Sequence, residues 1–161
     1  RARTGQPPLL VCHSMGGLAA RAAQVMADAA GESVPCAGIV TLGSPHRGCP
    51  LATFGAGTNA RQMRWASPWL TTLAEAESPA MRGRMISVFS WHDSIAGPAD
   101  TAWLEGARHI PLSGIGHVSL LRDPRAVQAT LDGLATLRKQ AASTSDSALP
   151  LPHGNASARF M

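Results

Sequence analysis

Near the start of the chain, Cys12-His13-Ser14-Met15-Gly16-Gly17 places a serine between small residues, where an apolar run gives way to a helical pattern. This matches the nucleophile-elbow pattern G-x-S-x-G at every position but the first, which is Cys12. The pattern has a physical cause. A strand that turns at once into a helix carries its serine on a strained corner, with the hydroxyl exposed above the sheet. Residues two before and two after must be small because the strand and helix backbones nearly touch. Gly16 meets that demand, Gly17 helps the helix approach, and Cys12 strains the fit slightly. The helix start after Ser14 also offers the Met15 backbone N–H, where the helix dipole favours a developing oxyanion.

Serine is a weak nucleophile until a base takes its proton, and a carboxylate must hold that base in the right tautomer. The chain offers Asp93 and Asp100 as acids in one loop, and His117 and His109 as bases. Asp123 reads better as a helix N-cap. His13 and His46 read as packing or loop-bracing residues, and His92 is too near Asp93 in sequence to be its partner. The six histidines show no H-x-x-x-H or H-E-x-x-H spacing, so no metal site is expected.

These residues must be positioned by secondary structure. Leu9-Leu10-Val11-Cys12 has the composition of a buried parallel strand running straight into the serine. Leu18, Ala22, Val25 and Ala29 then recur at helical spacing, with Gly31 at the C-cap. Residues 38–42 and 85–89 read as further buried strands, and 108–112 as a shorter fourth. Residues 50–80 lack a strand pattern and read as a cap- or lid-like insertion. Within it, Ser67-Pro68 marks a helix start, and Met63, Trp65 and Trp69 could face a lipid substrate or simply pack inward. Asp123-Pro124 opens a last helix with Val127, Leu131 and Leu134 on one face. Residues 141–161 are expected to be disordered.

Strands alternating with helices predict an α/β fold, a parallel sheet with helices on both faces. In such sheets chemistry gathers at the carboxyl ends of the strands. Ser14, Asp93 and His117 each follow a predicted strand. Asp93 lies closer to its strand end than Asp100, and His117 sits in a glycine-flanked loop, whereas His109 lies within a strand.

Val11-Cys12-His13-Ser14-Met15-Gly16-Gly17-Leu18 resembles the V-G-H-S-M-G-G-L segment of the α/β-hydrolases, in their bacterial lipase-like branch. Thr41-Leu42-Gly43-Ser44-Pro45-His46-Arg47-Gly48 is similar to that branch's T-L-G-T-P-H-x-G, and Gly114-Ile115-Gly116-His117 to its G-x-G-H. The three segments stand in the family's order. The resemblance implies an α/β-hydrolase fold with Ser14 as nucleophile, Asp93 as triad acid, His117 as general base and Met15 as an oxyanion-hole donor. It implies a lipase- or carboxylesterase-type serine hydrolase that works through an acyl-enzyme without a cofactor. Acyl transfer or amide cleavage could run on the same triad. In that family, further strands and the second oxyanion donor precede the nucleophile. Residues 1–140 are therefore expected to be an N-terminally truncated hydrolase domain, and a non-catalytic piece is the rival reading.

Composition narrows the rest. The 161 residues are 45% hydrophobic and 15% charged, which suits one globular domain. The net charge is +4, but the basic residues are scattered arginines with a single lysine, Lys139, and there is no tyrosine. Nucleic-acid binding is not expected. The three cysteines have no CxxC spacing. The expected partner is a small-molecule ester or lipid, and the insertion leaves room for contact with a membrane surface.

Overall fold

The computed structural model describes residues 5–32 and 35–147. Four strands, β1 (Leu9–His13), β2 (Gly38–Leu42), β3 (Met85–Ser90) and β4 (Arg108–Leu112), form one sheet in the order β1-β2-β3-β4. All three pairings are parallel, as crossover connections require. Parallel order puts every strand's carboxyl end on one edge of the sheet, so the loops that follow Leu42, Ser90 and Leu112 open beside Ser14.

Helix α1 (Met15–Ala29) returns the chain from β1 to β2 across one face. Between β2 and β3 lie a 3₁₀ turn at Pro50–Phe54 and helices α2 (Gly57–Gln62), α3 (Pro68–Ala76) and α4 (Pro79–Arg82). Ser67 caps α3 as its sequence predicts, its Oγ accepting the Leu70 N–H at 3.2 Å. The opposite face is covered by α5 (Pro124–Ser147). The expected fold class, a parallel α/β sheet with helices on both faces, is the observed one.

Each face has its own core, set by strand alternation. Val40, Leu42, Ile86 and Val88 pack with Ile115, Leu120, Ala126 and Leu137 beneath α5. Ile39, Met85, Cys36 and Leu104 form the core on the α1 side, with Leu10 and Cys12 beside them. Gly17 lets α1 settle onto this sheet: a Cβ there would collide with Ser44 Oγ and lie 2.9 Å from Thr41 Cγ2.

Four expectations need correction. The first strand is half-buried, with Val11 49% exposed, because among the described residues β1 pairs with β2 alone. The buried face of α1 runs through Leu18, Arg21, Gln24 and Ala27, not through Ala29, which is exposed. On α5 the buried positions are Ala126, Ala129, Gly133 and Leu137, whereas Val127 and Leu131 point to solvent. Finally, α5 continues through residues 141–147, the first part of the stretch expected to be disordered. The expectation for residues 148–161 lies outside the described residues.

Candidate active site

Ser14 stands between β1 and α1 with φ 53° and ψ −127°, a left-handed conformation that costs a non-glycine residue on the order of 1–3 kcal/mol. The strain is held from both sides. Its N–H donates to Leu42 O at 2.9 Å, its carbonyl accepts from Gly17 N at 3.1 Å, and α1 begins at once. Met15 is the first residue of that helix, so its N–H has no carbonyl a turn back to meet and remains available to an anion.

Asp93 and His117 arrive from the loops after β3 and β4. His117 Nδ1 lies 2.7 Å from Asp93 Oδ2, with both residues buried. The other carboxylate oxygen, Oδ1, accepts the N–H groups of Ile95 at 3.0 Å and Ala96 at 2.8 Å. Three bonds therefore fix the carboxylate, and it in turn selects the Nδ1–H tautomer of His117, which leaves Nε2 as a base. Asp100 is exposed and its backbone carbonyl caps a 3₁₀ turn. Of the two loop acids, Asp93 is the one beside His117.

His117 also meets the residue that precedes the serine. The residue before Ser14, His13, donates from Nε2 to the His117 carbonyl at 3.1 Å, and the two rings lie 4.6 Å apart. Gly43, which follows the carbonyl that holds the Ser14 N–H, lies against His117 Nδ1. Ser14 Oγ itself makes no hydrogen bond to His117 among the described residues.

Among the described residues, the other histidines brace loops. His46 is buried with Nε2 3.1 Å from Thr41 Oγ1. Burial above all, and then the charge of Arg21, hold its pKa well below the ordinary 6.5. His109 stacks on Trp103 with ring centres 3.9 Å apart and accepts the Leu104 N–H at 3.0 Å. His92 Nδ1 accepts the Gly114 N–H at 3.0 Å. No group of three metal-ligating side chains occurs among the described residues.

Two features of the surroundings escaped the sequence reading. Arg21, fully buried on α1, binds Glu77 through Nε at 2.6 Å and Nη2 at 2.8 Å, and it donates from Nη1 to the His46 carbonyl at 3.1 Å. This ties α1, the end of α3 and the loop after β2 together. Gly43 is the second feature. Its signal was present in Leu42-Gly43-Ser44, a glycine at a strand end, but what it makes room for is set by distant loops.

The PGAP1-like alpha/beta domain family matches residues 6–105, a span from the entry to β1 through Asp93 and beyond. The chain belongs to this family. Its fold is that of the α/β hydrolases, and solved structures share it. The lipase BlEst2 of Bacillus licheniformis, in its mature form, superposes with a TM-score of 0.60 at 16% identity, over 81% of this chain and 66% of that one. The esterase domain of a Rhodothermus marinus protein does so with a TM-score of 0.54 at 22% identity, over 82% of this chain and 60% of that one. This chain thus spans about two thirds or less of either neighbour's length. At such identities the likeness is one of fold. No curated protein sequence matches the chain.

Proposed function

We propose that this chain carries the catalytic centre of a serine ester hydrolase of the lipase or carboxylesterase type. One observation carries the reading: a buried Asp93–His117 pair on the loops after two neighbouring strands, at the same edge of the parallel sheet as a strained serine at a strand–helix corner. Family membership and the shared fold support it. Ser14 Oγ attacks the ester carbonyl carbon while His117 Nε2 takes the hydroxyl proton. Asp93 keeps the imidazole oriented and stabilises its charged form. The Met15 N–H donates to the oxyanion of the tetrahedral intermediate. The intermediate collapses to an acyl-serine as His117 returns the proton to the leaving alcohol. Water, deprotonated by His117, then frees the carboxylic acid and restores Ser14.

Exposed Met15 and Val118 flank the serine and the histidine in sequence, which favours esters with an apolar portion. The test is covalent labelling of the chain with a fluorophosphonate probe, alongside hydrolysis of p-nitrophenyl acetate. Both signals should be lost in Ser14→Ala, where removing a triad serine typically costs about 10⁶-fold in turnover. A folded chain that does not label, or labelling that survives Ser14→Ala, would overturn the reading. Transfer of the acyl group to an amine or a second alcohol in preference to water would move the assignment to an acyltransferase.

A further inference from the structure

Gly43 sits at the carboxyl end of β2, between the residue that anchors Ser14 and the loop that ends in His46. Its φ is +55°, and its N–H donates to Val88 O at 2.9 Å, which locks its position against β3. A Cβ built on it would lie 2.9 Å from Asp93 Oδ2, 3.0 Å from Leu120 Cδ1 and 3.2 Å from His117 Nδ1. These first and third atoms are the two ends of the 2.7 Å Asp93–His117 hydrogen bond. The bond therefore lies directly over the bare Cα face of Gly43.

We propose that Gly43 is a positioning residue, whose missing side chain makes the space in which Asp93 and His117 meet. The proposal rests on the ester-hydrolase reading for its catalytic consequence, but the contact itself can be tested without it. Neither partner can step aside easily. Asp93 Oδ1 is pinned by the Ile95 and Ala96 N–H groups, and the His117 carbonyl by His13. Leu120, the third neighbour, is fully buried in the core under α5. A methyl group at position 43 would thus be accommodated by parting the acid from the base. A misplacement of about 1 Å in a catalytic constellation costs on the order of 10²-fold in rate.

Gly43→Ala should lower kcat about 10²-fold with KM nearly unchanged, since the substrate-facing surface is untouched. Gly31→Ala is the matching control. Gly31 has φ +66° at the end of α1 but no atom within 4 Å of its would-be Cβ, so it carries the backbone strain without the collision. It should keep its kcat. A thermodynamic cycle isolates the contact: in an Asp93→Ala background, Gly43→Ala should lower Tm by less than it does in the wild type, and should scarcely change the residual rate. If Gly43→Ala alone does not fold, folding of the Asp93→Ala/Gly43→Ala pair supports the proposal. A pair that stays unfolded while Asp93→Ala folds overturns it. A folded Gly43→Ala with wild-type kcat, or an equal Tm loss in both backgrounds, also overturns it. A wild type that hydrolyses no ester would defeat the functional reading instead, and the Tm cycle would still decide the contact.

Discussion

Replacing Glu77 by Gln removes one charge from the interior and leaves its partner behind. The side chains of Arg21 and Glu77 are 0% and 1% exposed, and they meet in a two-pronged pair at 2.6 and 2.8 Å. Glutamine preserves the shape and one acceptor but no charge, so the guanidinium remains desolvated with the His46 carbonyl as its other acceptor. Breaking one side of a buried pair costs about 3–5 kcal/mol, against about 0–1 for an exposed pair. For a chain of 161 residues, that corresponds to a Tm lower by roughly 10 °C. Arg82 provides the comparison. Its Nε is 3.3 Å from Glu77 Oε2 and its side chain is 20% exposed, so Arg82→Met should cost far less. Replacing both fully buried charges, as Arg21→Met with Glu77→Leu, should recover most of the loss, because the guanidinium that remains, Arg82, reaches solvent. Differential scanning calorimetry on the four proteins decides the matter. A Glu77→Gln melt within about 2 °C of wild type, or a double variant less stable than the single one, would refute the argument that desolvated charge governs this site.

Asp93→Asn should lower kcat on p-nitrophenyl acetate by about 10⁴-fold, through loss of the productive His117 tautomer, while Asp100→Asn leaves it unchanged; equal effects would reject the assignment of the acid. The folded His46 resists protonation whereas the unfolded chain accepts a proton near the ordinary 6.5. Stability should therefore be full above about pH 7 and fall as pH drops below about 6.5, by up to about 1.4 kcal/mol per pH unit. Urea unfolding at pH 7.5 and 5.0 should show a smaller drop in His46→Gln than in the wild type, and an identical drop would contradict the cause given. Burial raises the Cys12 thiol above its usual 9.0, so it stays protonated at neutral pH. Cys12→Gly should accordingly leave fluorophosphonate labelling intact, and loss of the label would make Cys12 part of the reactive centre.

What could be read from the residues was local. Runs such as Leu9–Cys12 and Met85–Phe89, the Ser67-Pro68 start and the serine followed two residues on by Gly16 each express short-range rules of strand, cap and turn. Parallel order then follows, because strands joined by helices leave little alternative, and it alone assigns Ser14, Asp93 and His117 to one edge of the sheet. The tertiary structure settled what depends on partners far away in the chain. Nothing local marks Arg21 as buried; Glu77, 56 positions later, arrives to neutralise it. Ala29 looked buried by periodicity and is exposed, because the face of a helix is chosen by what packs on it. Val127 and Leu131 lie outward for the same reason, with the small residues Ala126, Ala129 and Gly133 letting α5 approach the sheet closely. Of the two acids in the loop after β3, the fold brought Asp93 to His117 by pinning its other oxygen on the Ile95 and Ala96 N–H groups. Gly43 shows the division most plainly. Its sequence neighbours fix it at a strand end, but the need for an empty Cβ position arises from two loops that reach it from β3 and β4. Hydrophobic periodicity and turn chemistry act over a few residues, whereas steric exclusion and charge pairing act between whatever the folded chain places in contact.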